Sequence, residues 1–480
     1  MAILSSIEKI IPRPADRSNI ILRLAILGSA ILGSILLAMR ATRKGWPDSV
    51  LSDPLILLLP LAFACLLLLR WPPLGLVALV AAALINPIQF RTGTVTRVNS
   101  AMLLLALLIV LWLYGEVVEK RRISLVSART IIPLVAFIAV AAFSFIVGQL
   151  PWFVFAQKAP LSAQLGGLSV FVLAAAAFLL VGVQVREVRW LEWMTWLFLV
   201  LSAIYLAGQI VPGLAAFTRV VQRAVYANSS FWIWLVAITF SQAMFNDRLH
   251  PAWRLAIAGL FLAALYVSLG PNSHWTSGWL PPLMAVAAML WASRSPWAWL
   301  TLVAGAGMAV LQTDRIHRLL FLGDNEYSLM TRLEAWRIMN EIVQVSPLLG
   351  LGPANYYWYT PLFSILGYSV QFNSHNNYID IIAQTGLLGL ACFLWFAWEI
   401  GRLGWWLRNR VPGGFARAFV YGALGGLVGM LGAMMLGDWV LPFIYNIGLN
   451  GLPASLLGWM FLGGLLAIKH IYSTEASSAS

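Results

Sequence analysis

A histidine and an arginine about forty residues apart are the side chains of this sequence best suited to chemistry. His375 stands in the run SHNNYID, between Ser374 and Asn376, directly before a hydrophobic stretch. A neutral imidazole can accept a proton near neutral pH, so a histidine in polar company is a candidate general base. A histidine at an interface can also be purely structural, and that alternative stays open at this point.

Arg332 belongs to a segment whose apolar spacing predicts a helix, starting at the cap residue Ser328 and stopped by Pro347. The residues predicted to share its buried face are Leu329, Leu333, Trp336, Asn340 and Val343. Arg332 lies at the edge of that face, whereas Arg337 lies on the opposite face, in reach of acids at three and four residues. Arg332 is therefore a cation for a phosphate or a glycan, or an arginine snorkelling to a membrane surface.

The segment after this helix, LLGLGPANYYWY, combines a tight turn with aromatic residues. Gly350, Gly352 and Pro353 predict a turn that either offers backbone N–H groups to an anion or simply ends the helix. The aromatic run Tyr356, Tyr357, Trp358 and Tyr359 suits stacking against a sugar, and an interfacial aromatic belt explains it equally well.

The composition is that of a membrane protein. Of 480 residues, 61% are hydrophobic and 10% are charged, against about 25% charged in an ordinary soluble domain. Hydrophobic stretches of about 20 residues each suffice to cross a bilayer as helices. Fourteen are predicted: 19–39, 51–69, 72–89, 99–115, 130–148, 164–183, 190–210, 231–246, 253–270, 276–293, 297–312, 379–400, 415–437 and 452–468. The prediction is an all-α polytopic membrane protein with about 12–14 transmembrane helices.

Basic residues orient the chain, because Lys and Arg concentrate in short cytoplasmic loops. They predict a cytoplasmic tail at 1–18, transmembrane helices 1–11 within 19–312, a large extracytoplasmic loop at 313–378, helices 12–14 within 379–470 and a cytoplasmic tail at 471–480. The first loop breaks the pattern, because Arg40, Arg43 and Lys44 would face outward. Long loops are commonly functional, which points to 313–378 as the catalytic segment.

The charge pattern also argues against two classes of protein, nucleic-acid-binding proteins and ion-coupled transporters. The net charge of +13 follows mainly from the cytoplasmic loops, so it is no sign of a nucleic-acid partner. Ionisable residues such as Glu192, Glu399 and Asp438 fall near the ends of predicted spans. Ion-coupled transporters usually keep such groups near the bilayer midplane, so a pump or symporter is disfavoured.

Two patches together resemble the O-antigen ligase and O-antigen polymerase family of bacterial cell-surface glycan assembly. One is the S-x-x-x-R…W…P-L-L-G-L-G-P-x-N-Y run, residues 328–356, and the other is H-N-N-Y-I-D-I-I-A-Q-T-G-L-L-G, residues 375–389. A weaker third patch, R-A-V-Y-A-N-S-S-F at 223–231, is similar to a family segment that precedes an earlier span. The resemblance covers about 220–400.

The resemblance implies a fold like that of the C-type glycosyltransferases and a metal-independent, inverting glycan transfer. The implied donor is a polyprenyl-diphosphate-linked glycan, and the acceptor is a hydroxyl of a glycan or glycolipid, as in lipopolysaccharide biosynthesis. The active site would face the periplasm or the exterior from the cytoplasmic (inner) membrane, in contact with membrane lipids. No cofactor and no metal are implied.

Residue by residue, the resemblance gives His375 the role of the base that activates the acceptor, and Arg332 that of the arginine holding the donor diphosphate. The other candidate substrate-binding residues are Arg223, Asn228, His274, Arg337, Asn376, Tyr356 and Trp358. The family often has an arginine near the position of Ser277, which is missing here, so His274 or Arg223 is a candidate replacement. Gln384 stands where a glutamate is common.

Two alternatives stay open. Asp324 and Glu326 form a D-x-E pair that resembles a metal site, although helix capping also explains them. The same basic, aromatic outer segment would also suit a transporter or flippase of a lipid-linked oligosaccharide, which binds such a substrate without catalysis. The sequence does not separate a ligase from a polymerase.

Overall fold

The computed structural model of the protein describes residues 68–85, 89–91, 97–119, 121, 129–299, 303 and 326–478. Contacts within the chain divide it into two units, Met1–Gly75 and Leu76–Ser480, and nearly all of the described residues belong to the second. They are mostly helical. The fourteen α-helices among them are α1 (Pro72–Leu84), α2 (Ser100–Tyr114), α3 (Ile131–Val147), α4 (Leu161–Gln184), α5 (Val188–Ile210), α6 (Arg223–Tyr226), α7 (Ser229–Phe245), α8 (Pro251–Leu269), α9 (Thr276–Ala292), α10 (Glu326–Val343), α11 (Tyr356–Tyr359), α12 (Asn377–Leu407), α13 (Phe415–Leu436) and α14 (Leu452–Ser478).

Shorter elements connect these helices. A π-helical turn follows α2, and three 3₁₀ turns lie in loops: Gly115–Glu119, Pro212–Arg219, Thr360–Leu362 and Gly448–Asn450. Two strands, β1 (Gln89–Arg91) and β2 (Arg97–Asn99), pair antiparallel with Gln89 opposite Asn99.

The described helices are those of a multi-pass membrane protein. Seven are long and apolar enough to cross a membrane: Ser100–Val118, Leu161–Gln184, Val188–Ile210, Pro251–Leu269, Asn377–Leu407, Phe415–Leu436 and Leu452–Ser473. Pro72–Leu84, Ile131–Val147 and Ser229–Phe245 are apolar but shorter. The predicted class, an all-α polytopic membrane protein, is confirmed for the described residues.

The predicted spans match the helices at eleven of fourteen positions. The span 19–39 lies outside the described residues, as do 51–69 and 297–312 except for residues 68, 69, 297–299 and 303. The prediction for 72–89 was too long, because α1 ends at Leu84 and the chain enters the β1–β2 pair. That pair was not predicted.

The centre of the bundle is built on α14, α13 and α7. α14 packs along α4, and α13 packs against α7 and α9. The transmembrane part of α14 is 94% buried inside the protein, against 22% for α8, so α14 is central and α8 is peripheral. Because lipid tails are as apolar as these side chains, close packing rather than hydrophobicity decides which helices lie inside.

α12, which carries the histidine motif at its start, is broken at Gly386. Gly386 has φ 71° and ψ −176°, values that a side chain would disfavour. A Cβ there would also overlap the backbone carbonyl of Leu348. The loop through Leu348 lies in the break, because Leu387 N and Leu388 N donate to the carbonyls of Pro347 and Leu348 at 2.8 and 3.2 Å. The break thus anchors the loop between α10 and α12.

α10 corrects two details of the helix prediction. It begins by Glu326, so Ser328 lies inside the first turn and does not cap it. Its buried residues are Ala335, Ile338, Met339, Ile342 and Val343. Leu333 and Asn340 are exposed, so the predicted apolar face was rotated relative to the real one. The side chain of Leu329 lies outside the described residues.

The two ends of α12 separate two groups of residues. Asn377 begins the helix beside His375, and Arg402 lies near its other end together with Arg129 and Lys469, with which it lines one cavity. At 1.5 Å per residue, the 25 residues from Asn377 to Arg402 would cover about 38 Å in a straight helix. Three predicted cytoplasmic cations therefore share one end, opposite the histidine.

Candidate active site

His375 is held in a left-handed backbone conformation, with φ 47°. Non-glycine residues rarely adopt this region, although histidine is among those that tolerate it. Its neighbours fix the loop: the Ser374 carbonyl accepts from Trp336 Nε1 at 2.8 Å, and Ser374 Oγ donates to Asp380 Oδ1 at 2.8 Å. The Asn376 side chain caps α12 by accepting from Tyr378 N at 3.0 Å. With both flanking residues buried, the half-buried ring of His375 projects from a fixed backbone.

His375 and Arg332 line the same cavity, which has a volume of about 470 Å³. Arg332 comes from the first half of α10, and His375 comes from the loop before α12. The prediction that these two side chains meet in one place is confirmed, although their chemical roles stay predictions. The other lining residues are Thr331, Ala335, Tyr357, Ile365, Gln371, Phe372, Asn373, Tyr445 and Asn446.

One wall of this cavity is a pair of stacked tyrosines. The rings of Tyr357 and Tyr445 lie 4.6 Å apart and 12° from parallel. Trp358 Nε1 donates to the Tyr445 hydroxyl at 2.7 Å, so Trp358 supports the wall and is not itself a lining residue. Burial raises the pKa of Tyr445, which keeps its hydroxyl protonated at neutral pH. Flat aromatic walls with a few polar groups are typical of small-molecule sites.

A buried carboxylate reaches the histidine through an amide. Asn446 Nδ2 donates to Asp438 Oδ1 at 2.6 Å and lies 3.5 Å from His375 Nδ1, at the long end of hydrogen bonding. Phe443 N donates to the other carboxylate oxygen at 2.8 Å. Asp438 is almost fully buried, and burial raises the pKa of its carboxyl above its ordinary value. The arrangement orients the imidazole from its Nδ1 side.

Tyr356 has a structural position, contrary to its predicted contact with substrate. It is fully buried, and its hydroxyl donates to Asp380 Oδ1 at 2.6 Å while its ring stacks on Phe443 at 4.6 Å. Burial, followed by the charge of Asp380, raises the pKa of Tyr356 well above its ordinary value. Asp380, a buried carboxylate in the first turn of α12, was not among the ionisable residues singled out from the sequence.

The glycine–proline turn does not form a phosphate nest. Its N–H groups all donate within the protein. Gly350 N donates to the Ser346 carbonyl and Leu351 N to the Ala383 carbonyl. Gly352 N donates to the Gln384 carbonyl, and Ala354 N donates to Gln384 Oε1. Pro353 has no N–H to offer. The run instead docks the loop on the carbonyls that the break in α12 sets free, and the amide of Gln384 receives one of its N–H groups.

Three other predicted binding residues are engaged elsewhere. Asn228 is buried and caps α7, accepting from Ser230 N at 2.9 Å. Asn376 caps α12 in the same way, so both asparagines are cap residues. Arg337 is exposed on α10, where it pairs with Glu334 at 2.8 Å and with Glu341, as the spacing predicted. These pairs raise the pKa of Arg337, and the residue does not line the cavity of Arg332.

Arg223 and His274 are exposed, and neither lines the cavity of Arg332 and His375. Arg223 begins α6, and His274 precedes α9. Ser277, near the missing family arginine, is buried and donates to the Leu436 carbonyl at 3.3 Å. A replacement for that arginine is therefore not found among the described residues that line this cavity.

Asp324 lies outside the described residues, as does the side chain of Glu326. Among the described residues, no group of three or more His, Cys, Asp or Glu side chains is placed to hold a metal. Asp438, Asn446 and Tyr445 were missed as site residues. They come from the segment 438–451, where no polar motif marks them.

No protein-family model matches the chain, and a search of curated proteins finds no relative.

Proposed function

We propose that this protein transfers a glycan from a polyprenyl-diphosphate-linked donor to an acceptor hydroxyl, at the outer face of the cytoplasmic membrane. The observation that carries the proposal is the convergence of Arg332 and His375 on one cavity of about 470 Å³. One residue suits the leaving diphosphate and the other suits the attacking hydroxyl. The motif resemblance to O-antigen ligases and polymerases supports the same chemistry.

In the proposed step, the acceptor hydroxyl gives its proton to the His375 imidazole as its oxygen attacks the anomeric carbon. The bond between that carbon and the diphosphate oxygen breaks, and polyprenyl diphosphate leaves with the electron pair. Attack from the face opposite the leaving group inverts the anomeric configuration. A base at this position contributes about 10²–10⁴-fold to the rate.

The surroundings of the ring support this role. Asn446 lies against Nδ1 and limits the movement of the ring on that side. The fixed backbone on both sides of His375 limits the ring to few orientations. Holding a base at hydrogen-bonding distance from its substrate is a large part of its effect.

Arg332 supports the leaving group. A guanidinium can bind two phosphate oxygens at once through parallel N–H bonds. Charge accumulates on the diphosphate as the glycosidic bond breaks, and a fixed cation stabilises that charge. The stacked pair Tyr357 and Tyr445 offers a flat wall to a sugar ring.

The test is transfer by the purified protein in liposomes, with a synthetic polyprenyl-diphosphate glycan and a glycolipid acceptor, in excess EDTA. Joined product and free polyprenyl diphosphate should appear in equal amounts. His375→Ala should lower the rate by about 10²–10⁴-fold. Arg337→Ala is the control, because that side chain is exposed and paired with two acids. Normal transfer by the His375→Ala protein would refute the proposal.

A further inference from the structure

The end of the bundle opposite His375 holds a second cavity, of about 320 Å³, which the proposed function does not use. Its polar lining comes from three helices. Arg129 and Thr130 directly precede α3, Glu399 and Arg402 lie near the end of α12, and Lys469 lies near the end of α14.

The lining carries an excess of positive charge. Arg129, Arg402 and Lys469 are three cations, and Glu399 is the one carboxylate among these lining residues, which leaves two positive charges. Glu399 binds Arg402 at 3.1 Å and so orients it along the helix. These three cations come from three separate parts of the chain and line one cavity.

The cavity also contains an unsatisfied donor at a helix start. Thr130 is 2% exposed, and its hydroxyl has no hydrogen-bond partner among the described residues. It stands at the N-terminus of α3, a helix of 17 residues with no side-chain cap and no acidic residue in its first turn. The first N–H groups of a helix and its dipole favour an anion, and a buried hydroxyl without a partner costs free energy.

We propose that this cavity binds the headgroup phosphate of an anionic phospholipid. The phosphate would accept from the Thr130 hydroxyl and from the N-terminal N–H groups of α3, while Arg129 and Lys469 supply charge. A lipid fits better than a free phosphate, because the apolar lining includes Trp406, which is 43% exposed beside the membrane-crossing part of α12. Exposed tryptophans at helix ends are typical of the headgroup level of a bilayer. The inference does not depend on glycan transfer.

The test is native mass spectrometry of the full-length protein in detergent, titrated with phosphatidylglycerol or with phosphatidylcholine. We expect the affinity for phosphatidylglycerol to exceed the affinity for phosphatidylcholine. Each of the two excess positive charges should contribute a factor of about five. Lys469→Gln should reduce that preference about fivefold. Thr130→Val keeps the shape of the side chain and should also weaken phosphatidylglycerol binding.

Arg189→Gln is the matched control, because Arg189 pairs with Glu187 at 2.7 Å and does not line the cavity. It should leave the lipid preference unchanged. Equal binding of the two lipids would overturn the proposal, as would an equal loss in the Arg189→Gln and Lys469→Gln proteins. Displacement of phosphatidylglycerol by millimolar inorganic phosphate would show that the site takes free phosphate instead.

Discussion

His375 keeps a left-handed backbone conformation because three neighbours hold the loop around it. The positive φ costs about 1 kcal/mol or more for a residue with a side chain. The bond from Ser374 to Asp380 is buried and the bond from Trp336 to the Ser374 carbonyl is partly buried, and together with the Asn376 cap they offset that cost. Strain of this kind is often found where a side chain must be aimed at a substrate.

Arg332 should be needed for use of the donor, if its guanidinium holds the diphosphate. We expect Arg332→Ala to lower kcat/KM for the donor by about 10²-fold, the effect of losing one preorganised donor group. Arg332→Lys should restore only part of this, because an ammonium lacks the planar fork that binds two oxygens. Initial rates at varied donor concentration measure both. Full activity of the lysine variant would show that a point charge suffices, and would contradict two-oxygen binding.

Asp438 should make the stability of the protein depend on pH. Its carboxyl titrates near 4 in an unfolded chain, and burial raises its pKa in the folded protein above that value. A raised pKa contributes stability below about pH 4, and this contribution is lost as the pH rises through the folded pKa. Over this rise in pH the wild type should lose stability relative to Asp438→Asn, which has no carboxyl to titrate at this position.

Unfolding temperatures of the two proteins in the same detergent, from pH 4 to pH 7, provide the measurement. Parallel curves would mean that Asp438 does not titrate in this range.

At the scale of single residues, the sequence predicted the Arg332–His375 pair but not the side chains around it. The pair could be predicted because each residue lies in a motif. Asn446, however, contacts His375 from 71 residues further along the chain. A contact between residues so far apart cannot be predicted from a local sequence pattern. Tyr356 was assigned to substrate because its aromatic ring suggested stacking, whereas its hydroxyl is occupied by Asp380 inside the core.

At the scale of elements, the broken helix α12 and the glycine–proline loop form one unit. The loop donates Leu351 N to the Ala383 carbonyl at 2.9 Å, and α12 donates Leu387 N back to Pro347. These bonds satisfy groups that a break inside a membrane helix would otherwise leave unpaired. A Cβ on Gly350 would lie 2.6 Å from Gly386 N, so the two backbones meet only where both residues lack side chains.

Gly386→Ala should therefore destabilise the protein strongly. The backbone conformation alone costs on the order of 1–3 kcal/mol for a residue with a side chain, and the methyl group overlaps the Leu348 carbonyl. Gly401→Ala in the same helix is the control, because its nearest neighbour would lie 3.5 Å away. Since alanine favours a helix over glycine by about 1 kcal/mol, the control should be neutral or stabilising.

Thermal unfolding of both variants in detergent tests the prediction. Equal unfolding temperatures for the two alanine variants would argue that the loop does not lock the break.

Helix positions could largely be predicted from hydrophobic runs, but helix faces could not. α10 illustrates the difference. Leu333 and Trp336 made one side of the wheel look apolar, yet the neighbours that bury α10 lie on the side of Ile338 and Met339. The position of these neighbours is set by the docking of the loop on α12, which is a contact between distant segments. The bounds of α1 failed for a similar reason, because the β1–β2 pair follows it.

At the scale of the whole molecule, the two cavities occupy opposite ends of the bundle. The cavity of Arg332 and His375 lies by the start of α12, and the cavity of Arg129 and Lys469 lies by its end. In a membrane-crossing bundle, these ends face different compartments. The rule that basic loops stay in the cytoplasm then predicts that the proposed lipid site faces the cytoplasm and that the proposed glycan transfer takes place at the outer face.

This orientation can be tested with single cysteines, after Cys65 and Cys392 have been replaced by serine. Tyr368 is 65% exposed in the loop before α12, and Asn409 is exposed in the turn between α12 and α13. A membrane-impermeant maleimide should label Tyr368→Cys in intact cells. It should label Asn409→Cys only after the membrane is opened, because positive residues flank that turn at Arg408 and Arg410. The reverse pattern would place Arg332 and His375 in the cytoplasm, where a donor presented at the outer face could not reach them.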